Sequence, residues 1–476
     1  KEYVDIMKML IAGKWVDKKE KIQVLDPLDN SLVDTVPSGT AEDIGLAVDA
    51  AAEGYRISRD MPVHERISIL RKVSDAIEEN SEELAETIAR EGSKTIKEAR
   101  GEVSRAAQTI LISSEEARRI TGETIPFDSS PGSEKRIGYY FRFPIGIIGA
   151  ITPFNDPLNL VAHKLGPAIA GGNSVVLKPA TVTPLSALKL GKLFMDAGLP
   201  PNVLNIVTGH GGEIGDALVT DPRVRMISFT GGVEAGEKIS RKAGLKKIGM
   251  ELGSNTPVIV CEDCDLEKAV DDCVSGAFWA AGQNCIGVQR IYIMDSIYKR
   301  FETLFVSRTR NYKIGPKLEE NTDMGPMITE AEARRIENWV NEAVEGGAKV
   351  LTGHQRKGAL YHPTVLADVP AGSKVDREEV FAPTVNLYPV KTLDEAIEKA
   401  NDVDFGLHAG IFTSDYRKAF KAIRGLEVGG VMINDSSDFR IDMMPFGGVK
   451  KSGLGREGIK FALQEMTEPR VVCFNL

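Results

Sequence analysis

The chain holds 476 residues, with 59 Lys and Arg against 68 Asp and Glu, a formal charge of −9. Hydrophobic residues make up 42% and charged residues 27%, a globular balance that excludes a disordered or fibrous polypeptide. The acidic surplus, without a long Lys/Arg run, argues against nucleic-acid binding, and no apolar stretch approaches the ~18 residues of a membrane helix. Five cysteines form no disulfide framework, and their odd number leaves a free thiol, as in a reducing compartment. Lys1–Asp5 carries scattered charges and no apolar signal core, so cytoplasm is the expected location.

Single cores stop growing near ~250–300 residues, so at least two domains are expected. The first 120 residues read mostly as helices. Pro62 opens one, in which Ile67, Leu70, Val73 and Ile77 recur at helical spacing; Ser81 begins another, and Thr95–Arg119 is a long amphipathic helix. Thr121–Tyr140, with Gly122, Pro126, Pro131 and Gly132, reads as a turn and an extended hairpin that the last strand, Arg470–Phe474, joins. From about Gly138 the pattern changes. Short apolar runs (Ile145–Ile151, Ser174–Leu177, Val203–Val207, Met226–Phe229) alternate with helical segments (Leu158–Ala170, Pro184–Ala197, Val233–Ala243). That alternation predicts βαβ units and a buried parallel sheet. A second series, Pro257–Val260, Arg290–Met294, Pro363–Leu366, Thr384–Val390, Ala409–Phe412 and Gly430–Asn434, predicts a second α/β unit.

Four segments carry chemistry. Thr230-Gly231-Gly232-Val233 is a strand, glycine turn and helix start, suited to a phosphate but equally to a tight βα turn. Cys285, in Gly282-Gln283-Asn284-Cys285-Ile286-Gly287 after a predicted helix Leu266–Ala281, is either a nucleophile with room around its sulfur or a buried core thiol. Glu251 sits amid apolar neighbours and is a base if buried, although a solvated strand-end carboxylate is commoner. Asp156-Pro157 reads as an N-cap followed by proline at the first helical position, with the Asn155 amide at the strand's carboxyl end. Cys261-Glu262-Asp263-Cys264 lacks a second ligand pair, so no metal site is expected.

Seven motifs in order make the sequence similar to the aldehyde dehydrogenase superfamily. They are Phe154-Asn155 with Lys164-Leu165-Gly166-Pro167; Leu177-Lys178-Pro179; Phe229-Thr230-Gly231; Glu251-Leu252-Gly253; Gly282-Gln283-Asn284-Cys285; Glu379-Val380-Phe381-Ala382-Pro383; and Pro445-Phe446-Gly447-Gly448 with Lys451-Ser452-Gly453. The resemblance implies an α/β fold with a Rossmann-type cofactor domain (1–121 and 142–253), an α/β catalytic domain (254–450) and a small β arm (122–141 and 460–476) that bridges subunits of a homodimer or homotetramer. It implies a hydrolytic, non-CoA-acylating, NAD(P)-dependent enzyme. Cys285 is then the nucleophile, Asn155 holds the oxyanion and Glu251 activates water; Lys178, Thr181, Gly231, Leu252, Glu379 and Phe381 hold the cofactor.

Thr181 stands where many NAD-preferring members carry a glutamate, so the expected cofactor is NADP, with NAD possible. Arg105, Asp156, Asn159, Asn284 and Arg440 are the expected substrate wall, suited to a small polar aldehyde. The stretch from Asn434 to Arg456 looks most like the archaeal lactaldehyde dehydrogenases, also known as non-phosphorylating glyceraldehyde-3-phosphate dehydrogenases. Lactaldehyde leads, glyceraldehyde-3-phosphate follows, and succinate semialdehyde and phosphonoacetaldehyde are the alternatives. A non-catalytic binding protein would lack Cys285, Glu251 or Asn155, and all three are present.

Overall fold

The computed structural model describes residues 7–476, so Lys1–Asp5 lie outside the described residues. Two sheets form its centre. The first is ordered in space as Lys14–Val16, Met9–Ile11, Leu204–Ile206, Ser174–Lys178, Ile147–Ile151, Val224–Thr230, Lys247–Glu251 and Gly453–Leu454, the middle five parallel. Ile147–Ile151 and Ser174–Lys178 are buried at every position, as expected of strands covered on both faces. Alternate residues feed separate cores: Ile148, Ala150, Val175 and Leu177 on one side, Ile147, Ile151 and Val176 on the other.

The second sheet runs Lys349–Thr352, Thr364–Ala367, Thr384–Val390, Arg290–Met294, Pro257–Val260, His408–Phe412 and Gly430–Ile433, parallel except for its first strand. A third sheet pairs Thr467–Asn475 with Arg136–Pro144, and that strand with Glu123–Thr124, so the last strand joins the extended segment. No helix among the described residues is long and apolar enough to cross a membrane.

The first nine α-helices are α1 (Ala41–Asp60), α2 (Val63–Glu79), α3 (Ser81–Glu91), α4 (Ile96–Glu116), α5 (Asn159–Ala170), α6 (Leu185–Asp196), α7 (Gly211–Thr220), α8 (Val233–Ala243) and α9 (Leu266–Phe278). The beginning of the chain is mostly helical over residues 7–120, through α1 to α4, as expected, but it starts with strands. It opens with Met9–Ile11 and Lys14–Val16 at the edge of the first sheet, then the hairpin Lys21–Leu25 with Leu32–Pro37. Three-residue strands leave no period to read, though the alternate burial of Ile22 and Val24 marks the hairpin. The helix before Cys285 stops at Phe278 rather than Ala281, because Ala280 and Ala281 turn left-handed.

Helix α4 organises what lies around it. Thr95 and Glu98 close a capping box at its start. The preceding Lys94, only 1% exposed, ion-pairs with Glu102 at 2.7 Å and with Asp156. The other Glu102 oxygen accepts the backbone N–H groups of Leu158 and Asn159 at 2.8 and 3.0 Å. Glu102 therefore caps α5 from a neighbouring helix. Asp156, expected to be that cap, spends its carboxylate on Lys94, and the helix begins at Asn159 instead of at Pro157.

Removing one member of a buried ion pair strands the other charge at a cost of about 3–5 kcal/mol, whereas an exposed pair contributes about 0–1 kcal/mol. Glu102→Ala should therefore lower stability in urea unfolding by several kcal/mol, while breaking the exposed Lys238–Glu234 pair on α8 by Lys238→Ala should shift it by less than about 1 kcal/mol.

Candidate active site

A cleft of about 1540 Å³ separates the two sheets. Its first-sheet wall is built from residues that follow strands: Thr152–Asp156, Ala180–Val182, Thr230–Val233 and Leu252–Gly253. Much of the opposite wall comes from residues that precede strands: Gln283–Ile286 before Arg290–Met294, and Glu378, Glu379 and Phe381 before Thr384–Val390. Carboxyl ends of parallel strands are where α/β sheets bind ligands. Here the amino ends of a second sheet face them.

Cys285, Glu251 and Asn155 all line this cleft. Cys285 follows three successive left-handed residues, Ala280 (φ +50°), Ala281 (φ +56°) and Gly282 (φ +68°). Gly282 is required, since a Cβ there would lie 2.2 Å from the Ala382 carbonyl oxygen. The two alanines store strain of about 1–2 kcal/mol each. The turn is held by Gln283, 1% exposed, which donates to the Ala280 carbonyl and accepts the Ile328 N–H at 2.9 Å. Burial pushes the Cys285 thiol up to about 12, with Arg440 opposing the shift.

Glu251 is 4% exposed and one of its oxygens has no hydrogen-bond partner among the described residues. Burial, and then the neighbouring Glu457 carboxylate, raise it well above the ordinary glutamate range. Burial works against Glu457 too, but Lys164, His163 and Arg440 together hold that carboxylate ionised. Lys164 donates to Glu457 at 2.6 Å and to the Thr230 hydroxyl at 2.7 Å. Asn155 is partly buried, and no protein group among the described residues takes its amide.

The cofactor residues named from the sequence spread along one arm of the cleft. Gly231, Leu252, Thr181, Glu379 and Phe381 line it. Lys178 lies just beneath, its ammonium donating to the Pro179 carbonyl, and burial lowers it to about 8. Thr181 donates to the Gly209 carbonyl at 3.0 Å, leaving a neutral hydroxyl at this end. Glu379 accepts the Ser254 N–H, and burial raises its carboxyl to about 7. It reaches this position because Gly253 has no side chain; a Cβ would meet Glu379 Oε2 at 2.4 Å. The half-buried Glu379 carboxylate, the Thr181 hydroxyl and the glycine turn that opens α8 line a groove with donors and acceptors for a polar, phosphate-bearing ligand, and the buried Lys178 is not part of its lining. Phe381, itself at φ +45°, meets Phe154 edge to face at 5.9 Å.

Four of the five expected substrate residues, Arg105, Asp156, Asn284 and Arg440, line the cleft. Asn159 does not. Its position in the first turn of α5 aims it at α4, where it is fully buried between Thr109 and Asp442. Asp442 was not singled out from the sequence, yet its Oδ1 accepts from Arg105 at 2.9 Å, Asn159 at 3.2 Å and pairs with His163 at 2.8 Å. Burial opposes its charge, but His163 and Arg105 hold it far below the usual carboxylate range. Arg440 stacks 3.6 Å over the Phe446 ring and approaches Glu457 at 3.4 Å. Glu98, Glu102 and Arg105 were legible as one face of α4 by their i, i+4, i+7 spacing, but only Arg105 was read. Lys94, Asp442 and Glu457 left no local signal.

The aldehyde dehydrogenase family model matches residues 15–472. The chain is 53% identical over 455 residues to aspartate-semialdehyde dehydrogenase 1 of Pseudomonas canavaninivorans, covering 96% of this chain and 97% of that one. It is 48% identical over 468 residues to a 3-sulfolactaldehyde dehydrogenase of Priestia aryabhattai, covering 98% of each. The glyceraldehyde-3-phosphate dehydrogenase GapN of Methanocaldococcus jannaschii, solved with NADP, superposes with a TM-score of 0.93 at 40% identity, over 96% of this chain and 100% of that one. With the expected motifs gathered in one cleft and a match running nearly end to end, the chain belongs to the aldehyde dehydrogenase family and is an aldehyde-oxidising enzyme.

Proposed function

We propose that the enzyme oxidises a short aldehyde with a polar, preferably anionic, tail, through a covalent intermediate on Cys285 and with NADP preferred over NAD. The observation that carries this reading is the charge arrangement of the wall. Asp156, whose carboxylate would repel an anionic tail, is paired with the buried Lys94. Arg105, about a third exposed, lines the cleft with one nitrogen on Asp442 and another 4.0 Å from Asp156, and its guanidinium keeps further donors for an anionic tail. This reorders the expectation from the sequence. Short acidic aldehydes of the sulfolactaldehyde or aspartate-semialdehyde kind, which name the two relatives above, come first, and lactaldehyde follows.

In this reading the Cys285 thiol, held neutral by burial, loses its proton to water in the cleft as its sulfur adds to the aldehyde carbon, forming a C–S bond and an alkoxide. The Asn155 amide donates to that oxygen, a contact of the kind worth about 3–4 kcal/mol in the transition state. Lys178, Thr181, Gly231 and Glu379 would hold NADP, which would supply the hydride acceptor. Hydride loss from the thiohemiacetal carbon leaves a thioester on Cys285. Glu251 then takes a proton from water as its oxygen attacks the acyl carbon, and collapse releases the carboxylic acid and the thiolate. A base needs its deprotonated form, and Glu251 is raised by burial and by Glu457. Neutral Thr181 leaves the 2′ position of the cofactor ribose free of a repelling carboxylate.

Two outcomes follow. Assayed on 3-sulfolactaldehyde, aspartate semialdehyde, succinate semialdehyde, glyceraldehyde-3-phosphate and lactaldehyde with both cofactors, wild type should give its highest kcat/KM with an acidic aldehyde and NADP. Arg105→Ala should raise KM for that substrate at least tenfold and for lactaldehyde less than threefold. A uniform change across the panel contradicts the tail assignment, and a tenfold better kcat/KM with NAD contradicts the cofactor assignment. Second, kcat at saturating substrate should fall on acidification while an ordinary glutamate is still ionised, because the raised Glu251 protonates first. A plateau that extends down to the ordinary glutamate range contradicts Glu251 as the base.

A further inference from the structure

The segment that presents Cys285 is held in an unfavourable conformation by groups outside its own domain core, and one of them has no role in the reaction just described. Ala280 and Ala281 are left-handed without being glycine, so the free turn would relax elsewhere. The Ala280 N–H donates to Glu98 Oε1 at 2.8 Å across 182 positions of sequence. The other Glu98 oxygen accepts the Thr95 N–H at 2.8 Å and the Thr95 hydroxyl at 3.0 Å, so the carboxylate is fixed to the first turn of α4. One turn earlier Lys94 lies 4.4 Å over the Trp279 ring. Both residues at the start of the turn are thus gripped, Ala280 by Glu98 on α4 and Trp279 by Lys94 just before it.

We propose that Glu98 is a positioning residue for the nucleophile: its carboxylate pins the left-handed turn from Ala280 to Gly282 and thereby sets where the Cys285 sulfur stands in the cleft. The inference rests on Cys285 being the nucleophile. Glu98 acts through the backbone of Ala280, needs no proton transfer, and works as a hydrogen-bond acceptor rather than as a charge. Loss of the acceptor releases the turn, and the sulfur spends most of its time away from the attacking position.

The test uses Glu98→Met, which fills the same space without an acceptor, Glu98→Gln, which keeps one, and the double variant Glu98→Met with Ala280→Gly, which removes the left-handed penalty. Readouts are kcat, the cofactor dissociation constant, thermal unfolding, and the rate of Cys285 alkylation by iodoacetamide followed on its own peptide by mass spectrometry. Glu98→Met should lower both kcat and Cys285 alkylation at least tenfold, with cofactor affinity within twofold of wild type. Glu98→Gln keeps an oxygen for the Ala280 N–H but sets its amide NH2 against the Thr95 N–H, so it should recover at least threefold of both losses, and Ala280→Gly should recover at least threefold of the Glu98→Met loss. Alkylation unchanged in Glu98→Met, no recovery in Glu98→Gln, or no gain from Ala280→Gly would each overturn the proposal. A Cys285→Ser control separates the two claims: full activity in that variant removes the nucleophile itself, whereas inactivity there with a silent Glu98→Met removes only the clamp.

Discussion

One positive charge without access to water sets the distance between the two halves of the active site. Lys94 pairs with Glu102, with Asp156 beside Asn155, and with the face of Trp279 at the start of the turn before Cys285. A buried ammonium is tolerated only when its partners surround it, so these groups cannot drift apart without exposing an unpaired charge. Glu102 carries the constraint onward. Its second oxygen caps α5, fixing the segment that follows Asn155. The Asn155 side and the Cys285 side of the cleft therefore hang on the same few atoms.

Around that anchor the sheets do the coarse placement. Strands Ile147–Ile151, Val224–Thr230 and Lys247–Glu251 end at the cleft, delivering Asn155, Gly231 and Glu251 from three adjacent parallel strands. The second sheet meets them from the opposite direction, with Cys285 and Glu379 on the approaches to its strands. Glycines let the two sides close. Gly253 admits Glu379, and Gly282 lets the turn before Cys285 pass the Ala382 carbonyl. The charges that remain divide the work. Burial keeps Glu251 and the Cys285 thiol poised toward their neutral forms, while Lys164 keeps Glu457 ionised next to Glu251.

What could be read before any coordinates depended on whether the signal was local. Fully buried parallel strands announce themselves as continuous apolar runs, and those of both sheets fall within a few residues of where periodicity places them. The site motifs were legible because glycine, asparagine and cysteine cluster within a few positions. Asp156 was misread as a helix cap because a proline follows it; the true cap, Glu102, lies 56 positions away and sequence cannot show that reach. Asn159 was placed on the pocket wall by helical spacing from Asn155, but only the packing of α4 on α5 decides which way it faces. Asp442 and Lys94 carry the same lesson: a buried charge is ordinary until its partners are known.

The claim on which everything else rests is that Cys285 carries the acyl group and Glu251 hydrolyses it. Intact-mass measurement of Glu251→Gln, mixed with NADP and a short acidic aldehyde, tests it most directly. The account predicts one equivalent of NADPH per active site, an acyl adduct on Cys285 and little further turnover. Continued turnover at the wild-type rate, with unmodified Cys285, would contradict it.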